Sequence, residues 1–256
     1  MKVDTIIQVN ETNLAETGCF CLRSKPKSDG YQNKNDWLMK QFQDGLQYIK
    51  IMDEDKVAGF IEYTPIEHSS RVVYGENYIV IHCLWVQLTG KGHATTLIQQ
   101  CIAYAKRENK AGVIVVTNEE TSWTPGKDVF LKNGFEEIAQ APYGFALLVY
   151  KLDATQEEPY FPDDWEERLE RFDDLTILRT YQCPFVDVAT DNVVLAANKL
   201  GLPVEVIDFQ SRTELLELSP TPYGIYGVIY KQKLIGYHRL TAHSALKRLK
   251  EVSLSD

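Results

Sequence analysis

The most regular pattern in the chain is an apolar run followed by a glycine-containing bend and then by a helical repeat. Residues Tyr78–Val86 (YIVIHCLWV) are nearly all apolar or β-favouring, which favours a strand buried on both faces. The bend follows at residues 89–94 (TGKGHA). After it, apolar residues recur every three or four positions and share one helix face: Ala94, Leu97, Ile98, Cys101, Ile102 and Ala105. The pattern predicts a strand, a glycine turn and a helix in that order.

Shorter patterns on either side extend this unit into a sheet. Alternating runs joined by the acidic turn 53–55 indicate a hairpin, and AGVIVVT at 111–117 indicates a second buried strand, parallel to the first and joined to it by a right-handed crossover. Asn109, Lys110 and Gly112 are expected to end the crossover helix. The other predicted elements of this half are a helix at 36–42, strands at 47–52 and 57–63, a short helix at 128–133, and strands at 135–138 and 145–150.

The second half has its own order of elements after an acidic, proline-bearing stretch. We predict a short helix at 165–172, strand 176–181, helix 189–200, strand 203–209, helix 213–218, a hairpin of 226–230 and 234–238, and a helix at 244–252. The chain is thus of the α/β (α+β) class, with an N-terminal mixed sheet flanked by helices and a C-terminal βαβαββα domain. The predicted boundaries are 1–154, an acidic linker and helix at 155–174, and 175–256.

Composition and charge exclude several classes of protein. The 256 residues are 44% hydrophobic and 25% charged, which indicates a soluble globular protein, and we expect no leader and no membrane partner. Of the net charge of −9, a segment from Glu157 to Asp174 with nine acidic residues and two arginines carries −7, so we expect no nucleic-acid partner. Five cysteines without zinc-site spacing make a reducing cytoplasm the expected compartment.

The bend after the apolar strand has the chemistry of an anion site. Amides at a helix start point outward with the positive end of the helix dipole, and glycines let a ligand approach the backbone closely. Lys91 adds a full positive charge. The spacing matches neither the P-loop, since Gly92-His93-Ala94 stands where a lysine and a hydroxyl are needed, nor the three-glycine dinucleotide fingerprint.

Gly92 and Ala94 fill the two small-residue positions, G and G/A, of the pattern Q/R-x-x-G-x-G/A. The region resembles the GCN5-related N-acetyltransferases (GNAT), which use this motif to bind acetyl-CoA. Thr89 stands where that family usually has Arg or Gln. A second motif, F-Y-x-K-x-G-F, is matched by residues 129–135 (VFLKNGF), with Phe130 in place of the tyrosine. The two motifs stand in the expected order, and in this half of the chain the resemblance extends over roughly residues 45–150.

The resemblance implies a set of residues that bind acetyl-CoA as co-substrate. The implied binding residues are Leu84, Trp85 and Val86 at the acetyl group, Gly90, Lys91, Gly92, His93, Ala94, Thr95 and Thr96 at the pyrophosphate, Asn118 at the pantetheine arm, and Phe130 at the place of the usual general acid. Because phenylalanine has no proton to give, another group or water acts as the acid, or the thiolate leaves unaided.

Two residues are candidates for the base that deprotonates the acceptor amine. His82 on the central strand is the first, because an imidazole suits proton abstraction at neutral pH, and Glu62 on the preceding strand is the second. The structural alternative is a histidine satisfied within the core, which is the commoner role of a histidine in an apolar strand. No metal site is expected.

The C-terminal half resembles the thioredoxin-like fold of YoaP-like domains. Cys183-Pro184-Phe185-Val186 overlays a glutaredoxin-type C-P-Y-C motif with valine as its second cysteine, and Thr221-Pro222 occupies the place of the fold's cis-proline loop. A single thiolate at a helix start can still form mixed disulfides. Cys183 is therefore a candidate redox thiol, and a packing or binding module is the alternative.

We therefore predict an acetyl-CoA-dependent N-acyltransferase that acts on a small-molecule or protein amine. The rival hypothesis is a monothiol redox or thiol-sensing protein centred on Cys183 with a passive acyl-CoA-binding domain. A third hypothesis is that the C-terminal domain delivers the substrate or a partner to the acetyl site. The acceptor, the acyl group and the oligomeric state stay open, a homo-oligomer included.

Overall fold

The fold is described from a computed structural model that covers residues 5–54, 56–87, 90–121 and 123–254. The chain divides into two compact units. Unit 1 comprises Met1–Phe20, Leu38–Ser69 and Val73–Phe161, and unit 2 comprises Cys21–Trp37, Ser70–Val72 and Pro162–Asp256. The predicted boundaries were contiguous along the chain, whereas the units draw on interleaved segments.

Unit 1 is built on a seven-stranded mixed sheet. Its strands are β1 (Thr5–Val9), β2 (Gln47–Asp53), β3 (Lys56–Pro65), β4 (Tyr78–Val86), β5 (Gly112–Asn118), β6 (Glu136–Ala141) and β7 (Phe145–Lys151). They lie in the order β1-β2-β3-β4-β5-β7-β6. β4 and β5 pair in parallel, and the other neighbours pair antiparallel. The apolar run at Tyr78–Val86 therefore forms the central strand, as predicted.

The helices of the chain are α1 (Leu14–Thr17), α2 (Asp29–Gln43), α3 (His93–Arg107), α4 (Lys127–Leu131), α5 (Trp165–Leu169), α6 (Val186–Asn198), α7 (Arg212–Leu218) and α8 (Ala242–Ser253). The apolar face of α3 packs on one face of the larger sheet. Leu97, Ile98 and Cys101 lie in one core with Ile79 and Ile81 of β4, and all five are fully buried. Burial of this stripe positions the start of α3 at the end of β4.

Two boundaries predicted around α2 and α3 differ from the structure. The helix predicted at 36–42 begins seven residues earlier, at Asp29. Gly112 does not end α3. It lies in β5, where a side chain would meet the Tyr150 carbonyl at 2.5 Å, and Asn109, with φ of 51°, is the left-handed residue after the helix.

Unit 2 contains a four-stranded sheet formed by β8 (Thr176–Arg179), β9 (Glu205–Asp208), β10 (Tyr226–Tyr230) and β11 (Lys233–Gly236). The strand order is β11-β10-β8-β9, with β8 and β9 parallel. Together with α6, α7 and α8, these strands give the predicted order βαβαββα. Its likeness to thioredoxin stays a prediction, and the Thr221–Pro222 bond is trans, since the described residues contain no cis peptide bond.

The start of the acidic stretch, which follows β7, forms hydrogen bonds with other parts of unit 1. Tyr160 and Tyr74 exchange two backbone hydrogen bonds, of 2.9 and 2.8 Å, and their rings stack. The Tyr78 hydroxyl donates to the Glu157 carbonyl at 3.0 Å. None of the helices in the described ranges combines the length and apolar character needed to cross a bilayer.

Candidate functional site

The central feature of unit 1 is a gap between its two parallel strands. β4 and β5 pair only from Tyr78↔Gly112 to Ile81↔Val115. β4 continues to Val86 while pairing with β3 alone, and β5 continues to Asn118 while pairing with β7 alone. Among the described residues, no strand lies between the facing edges beyond Ile81 and Val115, and the backbone groups of these edges can receive a ligand.

The pairing pattern shows which amides of β4 point into this gap. In an antiparallel ladder, successive residues turn their N–H and C=O groups to opposite edges. The Gln87 N–H donates to the Ala58 carbonyl at 2.7 Å, so Trp85, two residues before it, also turns its backbone towards β3. Leu84 and Val86 therefore turn theirs towards β5. Of the three residues predicted at the acetyl group, these two present backbone donors to the gap.

The bend at the end of β4 is open on its outer side. Gly90 and Gly92 have φ of 84° and 79°, and a side chain at either position would meet no atom of the described residues within 4 Å. α3 begins at His93, and its first intrahelical bond runs from Thr96 N–H to Gly92 C=O at 2.9 Å. The helix thus offers no acceptor to the amides ahead of Thr96, which suits an anion. Thr89 lies outside the described residues.

The charged residues of the bend are linked to the β2–β3 turn. The exposed Lys91 ammonium forms an ion pair with the Asp53 carboxylate, which also lies 3.9 Å from Nε2 of the buried His93. Ala94 is half-buried, and the exposed Thr95 hydroxyl lies 3.4 Å from the Asn133 amide. Sequence reasoning placed Asp53 only in a hairpin turn, and the structure makes it the anionic neighbour of the bend.

The two predicted bases lie together in a buried hydrogen-bonded chain. Glu62 pairs with Cys83 and Tyr63 with Ile81, so His82 is the extra residue of a bulge in β4. Its Nδ1 lies 3.2 Å from Glu62 Oε1, and its Nε2 lies 3.0 Å from Ser69 Oγ. Glu62 and His82 are each 1% exposed and Ser69 is 2% exposed. Sequence reasoning missed Ser69, because a serine in a loop gives no periodic signal.

Two other predicted binding residues have roles within the protein. Asn118 is buried; its Nδ2 donates to the Tyr143 carbonyl at 2.6 Å and its Oδ1 accepts from the Glu120 amide at 2.8 Å. Phe130 is fully buried in α4 and packs edge-on against Phe135. The structure thus places the Phe130 ring in the core rather than on a binding surface.

The sheet face opposite α3 carries aromatic side chains beside the gap. Trp85 is 39% exposed although it lies in a central strand, and its ring centroid is 4.4 Å from that of Phe20. Phe20 also stacks on Phe60 and donates its N–H to the Tyr48 hydroxyl at 2.9 Å. The Trp85 side chain thus lies on the face that also carries Glu62, two residues along β3 from Phe60.

In unit 2, Cys183 lies in the loop that leads into α6. Its side chain is half-buried, its carbonyl accepts from the Val186 N–H, and Val186, at the second cysteine position of the motif, is fully buried. Within the described ranges there is no cluster of three or more His, Cys, Asp or Glu residues that could hold a metal ion.

A family model, a bacterial relative and solved structures are similar to this chain. Residues 17–135 match the sequence model of the Acetyltransferase (GNAT) family. The "Uncharacterized N-acetyltransferase YoaP" of Bacillus subtilis (strain 168) is 25% identical over 248 residues, which cover 95% of this chain and 97% of that protein.

Two solved structures are similar to this chain over their whole length. PaiA N-acetyltransferase from Thermoplasma acidophilum in complex with coenzyme A is 14% identical, with a TM-score of 0.42 over 59% of this chain and 99% of its own. YncA from Salmonella typhimurium with its cofactor acetyl-CoA is 14% identical, with a TM-score of 0.44 over 61% of this chain and 99% of its own.

Proposed function

We propose that the protein is an acetyl-CoA-dependent N-acyltransferase that transfers the acyl group directly from the thioester to an amine; the match of residues 17–135 to the sequence model of the Acetyltransferase (GNAT) family supports this proposal. The observation that carries this proposal is the end of β4–β5 pairing at Ile81 and Val115, after which β4 continues to Val86 and leads into the open glycine bend. A binding slot and an anion site therefore follow one another along a single strand.

Backbone groups supply most of the proposed binding site. The amides at the start of α3 hold the pyrophosphate, where the positive φ of Gly90 and Gly92 leaves the approach free of side chains. Lys91 adds charge once it exchanges Asp53 for a phosphate. The side chains of His93 and Phe130 are buried and contribute to the fold of the site rather than to contacts with the ligand.

The acyl group lies in the gap between β4 and β5 in this proposal. Acetyl-CoA supplies an activated acyl carbon, and the Leu84 and Val86 amides are the donors aimed at the carbonyl oxygen as negative charge develops on it. A preorganised donor of this kind is worth about 3 kcal/mol in the transition state of acyl transfer. The Asn118 side chain, already engaged with Tyr143 and Glu120, holds the far wall of the gap.

The His82–Glu62 pair is the proposed proton acceptor for the amine. Attack requires a neutral amine, and the imidazole, with the carboxylate beside it to stabilise its protonated form, removes the proton. The departing thiolate has an ordinary pKa near 8.5 and needs no protein acid, which accords with phenylalanine at position 130. The acceptor is a small-molecule or protein amine, and the five cysteines without zinc-site spacing accord with a reducing cytoplasm.

We assign unit 2 the thioredoxin-like fold of YoaP-like domains, as a packing or recognition module. Its strand order, with β8 central between β10 and β9, supports this assignment. No observation favours thiol chemistry at Cys183. Val186 occupies the position of the second cysteine of the motif, so Cys183 has no neighbouring thiol there with which to form a disulfide.

Calorimetric titration with acetyl-CoA, followed by a screen of amines with a thiol-release readout, tests the proposal. We expect binding at one site per chain and thiol release with at least one amine. His82→Ala and Glu62→Ala should retain binding and lose turnover, and Cys183→Ser should retain both. Failure to bind acetyl-CoA, or equal turnover by the His82 and Glu62 variants and the wild type, contradicts the proposal.

A further inference from the structure

The hydrogen bond from Ser69 to His82 points to a role beyond the two predicted bases. We propose that Ser69 is a positioning residue that holds His82 in one tautomer and keeps a hydrogen bond to its Nε2 whether or not the ring is protonated. The inference rests on the proposed function in one respect, that His82 takes up the proton of the amine.

The directions of the two hydrogen bonds follow from their chemistry. An ionised Glu62 can only accept, so the proton on the neutral ring lies on Nδ1, 3.2 Å from Oε1. Nε2 is then the acceptor, and the Ser69 hydroxyl, 3.0 Å away, donates to it. Nε2 has one lone pair, which this hydroxyl occupies, so the proton of the amine reaches Nε2 by relay: the hydroxyl gives its own proton to Nε2 and takes one up in exchange. Nε2 is then the donor, and the same hydroxyl accepts after rotating about its C–O bond. A serine satisfies both states without moving any heavy atom.

Ser69 is held in place by its own backbone and by the burial of its side chain. Its N–H donates to the Ile66 carbonyl at 3.2 Å, at the end of the single helical turn Ile66–His68. All three members of the chain are at most 2% exposed. A buried ring nitrogen that lost its partner would carry the full cost of desolvation, and the cost is larger for the charged ring. The hydrogen bond from Ser69 is therefore most stabilising when His82 is protonated.

Ser69, His82 and Glu62 also have the order of nucleophile, base and carboxylate that nucleophilic hydrolases use. The two roles differ in where the acyl group goes, because a nucleophile carries it on Oγ between two half-reactions, whereas a positioning residue never carries it. Direct transfer from the thioester to the amine needs no acyl-enzyme, so an acyl group on Ser69 would contradict the positioning role.

The test uses ¹⁵N-histidine NMR of the full chain, in which His82→Gln assigns the His82 signals among those of five histidines. We expect the wild type at neutral pH to show the Nδ1–H tautomer and Ser69→Ala to show a mixture of tautomers. The matched control is Thr64→Val, which also removes a fully buried hydroxyl from the end of β3, but one that has no hydrogen-bond partner in the part of the chain that the structure describes. This variant should leave the histidine signals unchanged.

Kinetics give the second readout. Ser69→Ala should lower kcat roughly tenfold, as loss of one hydrogen bond to a charged ring implies, while KM for acetyl-CoA stays within about twofold. Ser69→Thr should recover most of the loss, because its hydroxyl offers the same donor and acceptor. If the alanine variant does not fold, Ser69→Cys, a weaker donor of similar size, should show the same changes to a smaller extent.

Three results would overturn the proposal: an Nε2–H tautomer in the wild type, an unchanged tautomer and kcat in Ser69→Ala, or an acetyl group on Ser69 in protein quenched during turnover. Absence of acyl transfer with every amine would instead count against the proposed function. The tautomer would still report on Ser69 in that case, because the NMR measurement needs no substrate.

Discussion

Substitution of Gly92 tests the anion site at the start of α3. With φ of 79°, Gly92 is left-handed, and an alanine there costs about 1–2 kcal/mol in the folded state, partly offset by about 0.4–1 kcal/mol from the stiffer unfolded chain. The net loss of about 1 kcal/mol is small beside a typical stability of about 5–15 kcal/mol, so Gly92→Ala should fold. Its effect on binding can therefore be measured on the native protein.

The expected loss of affinity is larger than the loss of stability. No atom of the described ranges lies within 4 Å of a side-chain carbon placed on Gly92, and a phosphate oxygen bonded to the bend would approach the backbone to about 2.9 Å. A methyl group in that space removes at least one charge-assisted hydrogen bond, worth about 1.5–3 kcal/mol, so the Kd for acetyl-CoA should rise about 10- to 100-fold. Gly92→Glu adds a negative charge and should abolish binding.

Gly201→Ala is the matched control. Gly201 lies after α6 in unit 2, also has a positive φ, of 65°, and also has open space around it. It should lose similar stability in urea unfolding and leave the Kd for acetyl-CoA unchanged in calorimetry. If Gly92→Glu bound acetyl-CoA as tightly as the wild type, or if both alanine variants shifted the Kd equally, the assignment of the bend to the pyrophosphate would be wrong.

Three further predictions concern charge and burial elsewhere in the chain. Asp53→Asn releases Lys91 from its ion pair and should lower the Kd for acetyl-CoA about 2- to 5-fold at low salt. Calorimetry at low and high salt measures this change, which should be smaller at high salt because the ions screen the charges. Burial raises the pKa of Tyr63 and Tyr226, so above about pH 10 the unfolded chain loses phenol protons that the native protein keeps. In urea unfolding at pH 8 to 11, the free energy of unfolding should therefore fall above about pH 10, by up to about 1.4 kcal/mol per pH unit for each of the two tyrosines. Arg168→Ala removes a buried guanidinium that donates to the Asp164 carboxylate and the Ser219 carbonyl, and should lower the free energy of unfolding by about 2–3 kcal/mol in the same assay, whereas an unchanged value would mean that water replaces both bonds.

The elements missed by sequence analysis are those whose own residues carry weak signals. β1 (Thr5–Val9) is an edge strand with mostly exposed side chains, so its sequence lacks the alternation of a half-buried strand. The first turns of α2 contain Gly30, Asn33 and Asn35, which are poor helix formers. Gly30 is accounted for by packing, because a side chain there would lie 2.1 Å from the Pro184 carbonyl in the same unit.

The sequence by itself determined the order of elements around β4, α3 and β5, because periodicity and glycine positions act locally along the chain. It also singled out Gly92, His82 and Glu62, whose residue types suit anion binding and proton transfer. Only the tertiary structure decided which distant groups meet them. Ser69 reaches His82 across 13 positions and Asp53 reaches Lys91 across 38. Strand pairing and the bulge in β4 bring these groups together, and neither the register of a sheet nor the place where pairing ends is encoded in the local pattern of either strand.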